Sequence, residues 1–231
     1  MIVNFTSPEL STGDSLIFIR AYNLKAGIWK FRLTGQSIVD GKYYAWIPQR
    51  ELLDSETKFL NSVGYTTLTL SSTSSGAISV AYYNQDDNSV ISESGRGYTR
   101  YGMIKPDIAA GGFNAIVTNP GGGTAVISGS SVAGAVVAGC CALILQWAVV
   151  DKNYPDIYAA QIKSYIISGA KGRPGDVYPN KEWGYGMFDM QGVFDRIRET
   201  YSPRSDEDYE EYRVNNLFIR MPKYRHNRTI N

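Results

Sequence analysis

Residues 121–150 read GGGTAVISGSSVAGAVVAGCCALILQWAVV. Three glycines lead into the β-branched segment Thr124-Ala125-Val126-Ile127, then into Ser128-Gly129-Ser130-Ser131, then into a long apolar run. The glycine cluster is turn chemistry, and the apolar run from Val132 is a helix. The predicted arrangement is a loop that delivers a serine to the first turn of a buried helix. Ser128, Ser130 and Ser131 are each candidates to cap it, because a serine oxygen accepts from the free N–H groups of a first turn. Val132, Ala133, Gly134, Ala135, Val136, Val137, Ala138 and Gly139 are small or apolar on every side. A helix that is apolar all round is expected to be buried.

A serine in that place has chemical potential. The free N–H groups and the helix dipole set partial positive charge beside it, which suits a developing oxyanion in acyl transfer. A capped core helix with no chemistry is the simpler alternative on local pattern alone.

Two blocks favour the chemical reading. Gly129-Ser130-Ser131-Val132-Ala133 with Val137-Ala138-Gly139 resembles the nucleophile motif of subtilisin-like serine proteases (peptidase family S8). Upstream, Lys105-Pro106-Asp107-Ile108-Ala109-Ala110-Gly111-Gly112 is similar to that family's Lys-Pro-Asp-Ile-x-Ala-Pro-Gly segment. The resemblance places Ser131 on the nucleophile and makes its backbone N–H one oxyanion donor. Ser130 stands where threonine is usual, Gly111 where proline is usual, and Ala135-Val136 where many members have Pro-His. Ser92-Glu93-Ser94-Gly95-Arg96-Gly97 resembles the loop before Lys-Pro-Asp-Ile, and Trp183-Gly184-Tyr185-Gly186 the Gly-x-Gly segment before the family's last helix.

The N-terminal region reads as β. Residues 15–22, 27–33 and 42–47 are candidate strands separated by Gly- and Asp-containing turns, as in an antiparallel sandwich. Trp29, Phe31 and Leu33 form the face expected to be buried. These segments are similar to the later strands of a jelly-roll insert in clostridial germination-type subtilases. The resemblance therefore implies the C-terminal part of a subtilisin-like three-layer α/β domain with a parallel sheet, preceded by a partial antiparallel β jelly-roll. The implied organisation is a partial insert over 1–62, the catalytic-domain part over 63–201, and a charged extension over 202–231. Thr66–Leu70 and Ala77–Tyr83 are short strands, Ile157–Ser168 and Met190–Thr200 helices, and Trp183–Asp189 a glycine-punctuated strand. Asn216–Pro222 in the extension is a further candidate strand.

A serine nucleophile needs a base, and the base an orienting group. The single histidine, His226, lies in the basic tail, after Ser131 rather than before it. The family's Asp, His and oxyanion Asn have no counterpart here. The expected function is thus a serine endopeptidase part that hydrolyses peptide bonds in an intact protein and is inactive alone. Its partners would be a peptide or protein substrate and the missing N-terminal half. The alternatives are a non-catalytic pseudoprotease and a protein-binding module.

Composition narrows the rest. Lys and Arg total 23 against 22 Asp and Glu, a balance that gives no basic face for nucleic acid. Gly121-Gly122-Gly123-Thr124 lacks a P-loop lysine, and no Cys/His set has zinc spacing, so no cofactor or metal is expected. The turn Asn84–Asn88 has calcium-type ligands without a calcium-type spacing. Cys140 and Cys141 are adjacent on a helix and cannot bridge. Residues 132–150 are long enough to raise a membrane span, but Gln146, the glycines and the serine-rich entry favour a soluble core helix and no membrane partner. No secretory leader is evident at Met1, and by resemblance a spore-associated or extracellular location is open.

Overall fold

A computed structural model describes residues 1–38, 40–48 and 52–201, together with the backbone of 209–214 and 217–222. The chain forms two compact units, Met1–Lys58 and Phe59–Asn231.

In the first unit, β1 (Ile2–Thr6) pairs antiparallel with β2 (Leu16–Arg20), in register Ile2 to Arg20 and Thr6 to Leu16. Alternating side chains leave both faces of this pair uncovered. Phe5 and Phe18 are 66% and 49% exposed. The segments 27–33 and 42–47, expected as strands, form no ladder. The alternation of 27–33 specifies which side would be buried, but pairing needs a neighbour to take the backbone groups. Trp29, Phe31 and Leu33 are exposed, not buried. Tyr44 and Trp46 instead stack on one another, with ring centroids 5.5 Å apart.

The second unit is built on a small mixed sheet ordered β4-β3-β5. β3 (Val80–Asn84) runs parallel to β5 (Ile108–Gly111), from Val80 opposite Ile108 to Tyr83 opposite Gly111. It turns through 85–88 into β4 (Ser89–Val90), which pairs only with Tyr83 and Asn84. The turn uses its own polar groups: Asn84 Oδ1 accepts from Asp86 N–H and Asp87 Oδ1 from Ser89 N–H. On the far side of β5, Ala109 bridges Met187, so the 183–189 segment contributes isolated bridges rather than a continuous strand. Residues 66–70 are also irregular, held by Thr66 N–H and Thr67 N–H donating to the Gly97 and Arg96 carbonyls.

β6 (Ala115–Thr118) and β7 (Thr124–Ile127) form an antiparallel hairpin. Its tip is the glycine cluster, where Gly121, Gly122 and Gly123 all have positive φ. The helix α1 (Ser130–Leu145) follows and continues as a wider turn through Gln146–Val150. α2 (Ala159–Ser168) and α3 (Met190–Thr200) pack on each other. They meet at Gly169 and Gly192; a Cβ on Gly169 would lie 2.5 Å from Val193 N, so only glycine permits the approach. In α2, Gln161 Oε1 reaches back to accept from Tyr158 N–H. α3 starts at Asp189, whose carboxylate accepts from Gln191 N–H. In the charged tail, β9 (Leu217–Pro222) pairs antiparallel with β8 (Tyr209–Val214).

The core runs between these elements. Ile108, Ile144, Ile166 and Val193 are completely buried, and Ile197 nearly so. Each such side chain contributes on the order of 1.5–3 kcal/mol. α1 supplies a stripe of Ala133, Val137, Cys140 and Ile144 against β3 and β5. The expectation that this helix is buried all round is only half met. Val136, Leu143, Leu145 and Val149 on its other side are 43–50% exposed. Helix and continuation together (Ser130–Val150) are long and apolar enough to cross a bilayer by length and composition. In this fold the inner stripe packs in the protein core.

At the entry of β3 and β5 lies a buried ionic anchor. Lys105 and Asp107 are 1% and 3% exposed. Asp107 Oδ2 accepts from Lys105 Nζ at 2.6 Å and from Ser79 N–H at 2.7 Å; Lys163 Nζ lies 2.9 Å from Oδ1. Both ammonium groups also donate to the Ala77 carbonyl. Burial pulls the Lys105 pKa below its ordinary value, against the opposing pull of Asp107. The Lys-Pro-Asp segment thereby pins the entry of β3 to that of β5 and to α2.

Candidate active site

Ser131 occupies the first turn of α1, where the sequence pattern places it. The N-cap is Gly129, with φ 149° and ψ 163°, and no side chain caps the helix. This corrects the expectation that Ser128, Ser130 or Ser131 would do so. Gly129 adopts a backbone geometry open chiefly to glycine. The Ser128 hydroxyl turns the other way and accepts from Asn114 N–H at 2.8 Å. Gly129 also gives the helix its first carbonyl, which accepts from Val132 N–H and Ala133 N–H.

Without a capping side chain, the N–H groups that precede Val132 in the first turn have no side chain to accept from them. Among the described residues, no backbone carbonyl accepts from Ser131 N–H. Ser131 itself is exposed, and its hydroxyl has no hydrogen-bond partner among the described residues. The helix dipole adds partial positive charge at this end. The local chemistry is an accessible hydroxyl beside an uncommitted donor.

The loop carrying these groups is tied to the end of the sheet. Gly129 N–H donates to the Gly112 carbonyl at 2.8 Å, while Gly112 N–H donates to the Tyr83 carbonyl at 3.2 Å. The approach is close: a Cβ on Gly112 would lie 2.7 Å from Gly129 O and 3.2 Å from the Ala133 Cβ. β3, β5 and the serine turn are therefore locked at one point.

A base is not brought to this point by residues 1–201, which contain no histidine. His226 lies outside the described residues. Among the described residues, no cluster of three or more His, Cys, Asp or Glu side chains is arranged to hold a metal ion. Cys140 is buried inside α1, and burial together with Cys141 pushes its pKa up to about 11. It is a packing residue of the helix rather than a nucleophile.

Residues 57–186 match the family model described as the subtilase family. The chain belongs to the subtilase family. A subtilisin-like protease from Arabidopsis thaliana, SBT6.1, is 30% identical over 172 residues, covering 69% of this chain and 16% of the plant protein. The membrane-bound transcription factor site-1 protease of Mus musculus is 32% identical over 106 residues, covering 46% of this chain and 9% of its own length. Among solved structures, the CspB protease of Clostridium perfringens shares 38% sequence identity with a TM-score of 0.61. That match covers 63% of this chain and 31% of the CspB chain. The chain thus spans less than a third of the length of each of these relatives. The resemblance to subtilases, and the α/β fold that it implies, hold for this chain.

Sequence reasoning missed two parts of the site. One is the Ser128–Asn114 contact, because a serine next to a helix start reads first as a cap. The other is Gln85, whose amide meets the Phe113 backbone; a glutamine in a polar turn carries no signal of its own.

Proposed function

We propose that Ser131 is the nucleophile of a serine endopeptidase whose base comes from outside residues 1–201. The observation that carries this reading is an exposed Ser131 hydroxyl at the N-terminus of α1, beside its own open N–H. In the reaction, a histidine supplied by another part of the protease removes the Ser131 Oγ proton. The oxygen attacks the carbonyl carbon of a peptide bond, and the oxyanion is met by Ser131 N–H. The histidine then returns the proton to the departing amine. An asparagine amide, implied by family resemblance, is the second oxyanion donor. The substrate is a peptide or protein. Ser131 lies inside the segment matched to the subtilase family, which supports this assignment.

Residues 1–201 alone lack the base, so this chain is expected to be silent without its complement. The test is a fluorophosphonate probe, which phosphonylates an activated serine with loss of fluoride. The chain is labelled alone and again with a polypeptide bearing the family's Asp, His and Asn segments. Labelling that needs the complement and vanishes in Ser131→Ala supports the proposal. A well-folded complex that stays unlabelled overturns it.

A further inference from the structure

We infer that Gln85 is a positioning residue for the turn Ser128–Ser131, acting through the backbone of Phe113. This deepens the proposed role of Ser131 and rests on it for its catalytic meaning. Gln85 is the first residue after β3. Its side-chain amide engages both backbone groups of Phe113: Phe113 N–H donates to Gln85 Oε1 at 3.1 Å, and Gln85 Nε2 donates to the Phe113 carbonyl. The amide thus stands in for a neighbouring strand just where β5 has ended.

The two residues flanking Phe113 are the ones that hold the serine turn. Gly112 accepts from Gly129 N–H, and Asn114 donates to Ser128 Oγ. Ser128 Oγ also points to Asn114 Oδ1 at 3.4 Å. A clamp on Phe113 therefore fixes both attachment points of the turn together. Loss of the clamp frees the 112–114 segment to rotate, and the turn goes with it. Reacting groups tolerate little displacement, so such looseness reaches the nucleophile.

The sequence makes room for this side chain. A Cβ at Gly111 would lie 3.1 Å from Gln85 Cβ and 3.2 Å from its Oε1. Gly111 stands where the family's segment has proline, and the space released is the space that Gln85 uses. The glycine and the glutamine form a matched pair.

The test has two readouts on Gln85→Ala and Gln85→Glu. The first is backbone amide exchange in the chain by itself, followed by NMR. Gln85→Ala should speed exchange about fivefold or more at both Phe113 and Gly129, the scale of losing one net hydrogen bond, with Ile144 and Ile166 as unchanged references. Gln85→Glu keeps the acceptor for Phe113 N–H and should restore most of the protection at Phe113. Faster exchange at Phe113 with none at Gly129 would make the clamp local and overturn the inference. The second readout is the fluorophosphonate labelling rate of Ser131 in the complemented protein. Gln85→Ala should slow it about 3–10-fold, with Gln85→Glu between. Failure of the parent protein to label would reject Ser131 as the nucleophile, while the exchange result still decides whether Gln85 fixes the turn.

Discussion

Ile2, Phe5, Ile17 and Phe18 in the first unit are the same kinds of side chain as Ile108, Ile144 and Ile166 in the second. The first four are between 41% (Ile17) and 66% (Phe5) exposed; the last three are completely buried. Local pattern does not account for the difference, because the apolar run of β2 (Leu16–Arg20) is as long as that of β5 (Ile108–Gly111). What differs is the second layer. β3 and β5 have α1 laid across them, with α2 and α3 completing the core. The β1–β2 pair is a two-stranded sheet, and such pairs are marginal until another layer covers one face. α1 itself repeats the lesson on one element: its Val137 and Ile144 are buried against the sheet, whereas Val136 and Leu143 are half exposed.

The strongest way to break this contrast is to attack the buried anchor of the second unit. Asp107→Ala leaves two lysines, Lys105 and Lys163, without their carboxylate, and removes the acceptor of Ser79 N–H. The expected loss is about 3–5 kcal/mol, the scale of stranding buried charge. Urea unfolding followed by the fluorescence of Trp183, itself buried in this unit, measures it. Asp107→Asn keeps a side-chain oxygen for Ser79 and should lose less. A shift within error for Asp107→Ala would mean that the anchor is not what joins β3 to β5.

Parts of this arrangement were legible in the sequence. α3 is found over Met190–Thr200, where the resemblance puts the family's last helix after the Gly-x-Gly segment. The serine turn, the glycine tip and β7 were readable because turn residues and β-branched residues speak locally. The anchor was only half readable. Lys105 and Asp107 stand two apart in one motif, but Lys163 belongs to α2, whose reading concerned its apolar positions. The serine caps were misread because the Ser128 hydroxyl has a rival partner, Asn114 N–H, that only the fold brings near. The absent ladders at 27–33 and 42–47 have the same origin. Alternation defines a face, and only a partner strand makes it a sheet.

A second, smaller test sharpens the contrast at the start of α3. Partial burial works to raise the Asp189 pKa, but Lys171 and the N–H groups of Gly192 and Gln191 outweigh it and hold the carboxyl below its ordinary value. The folded state therefore favours the carboxylate. Its contribution is fully present above the ordinary Asp pKa, and is lost as pH falls through the lower folded-state value. Asp189→Ala should cost about 1 kcal/mol at neutral pH, the usual worth of a helix cap. In acid the variant and parent should converge. Thermal unfolding of both proteins between neutral pH and strongly acidic pH reads this directly. A gap that stays constant down to the lowest pH would show that the ionised carboxylate is not the stabilising group.

The smallest stability effect belongs to the first unit. Phe5→Ser and Phe18→Ser remove side chains that are already largely in solvent, so the unfolding midpoint of the second unit should move by no more than about 0.5 kcal/mol. Association should respond more. Ile2, Val3, Phe5, Leu16, Ile17, Phe18 and Ile19 together make an exposed apolar surface on a sheet with two open edges. Both features promote self-pairing. Sedimentation should therefore show concentration-dependent association of the parent chain, reduced in the double variant. An equal loss of stability in both units would mean that the phenylalanines belong to a core after all. A monodisperse parent would mean that exposure of these side chains does not drive association. The contrast between the units is thus a measurable one: the same chemistry is expected to resist denaturant where a helix covers it, and to promote self-association where it stays exposed.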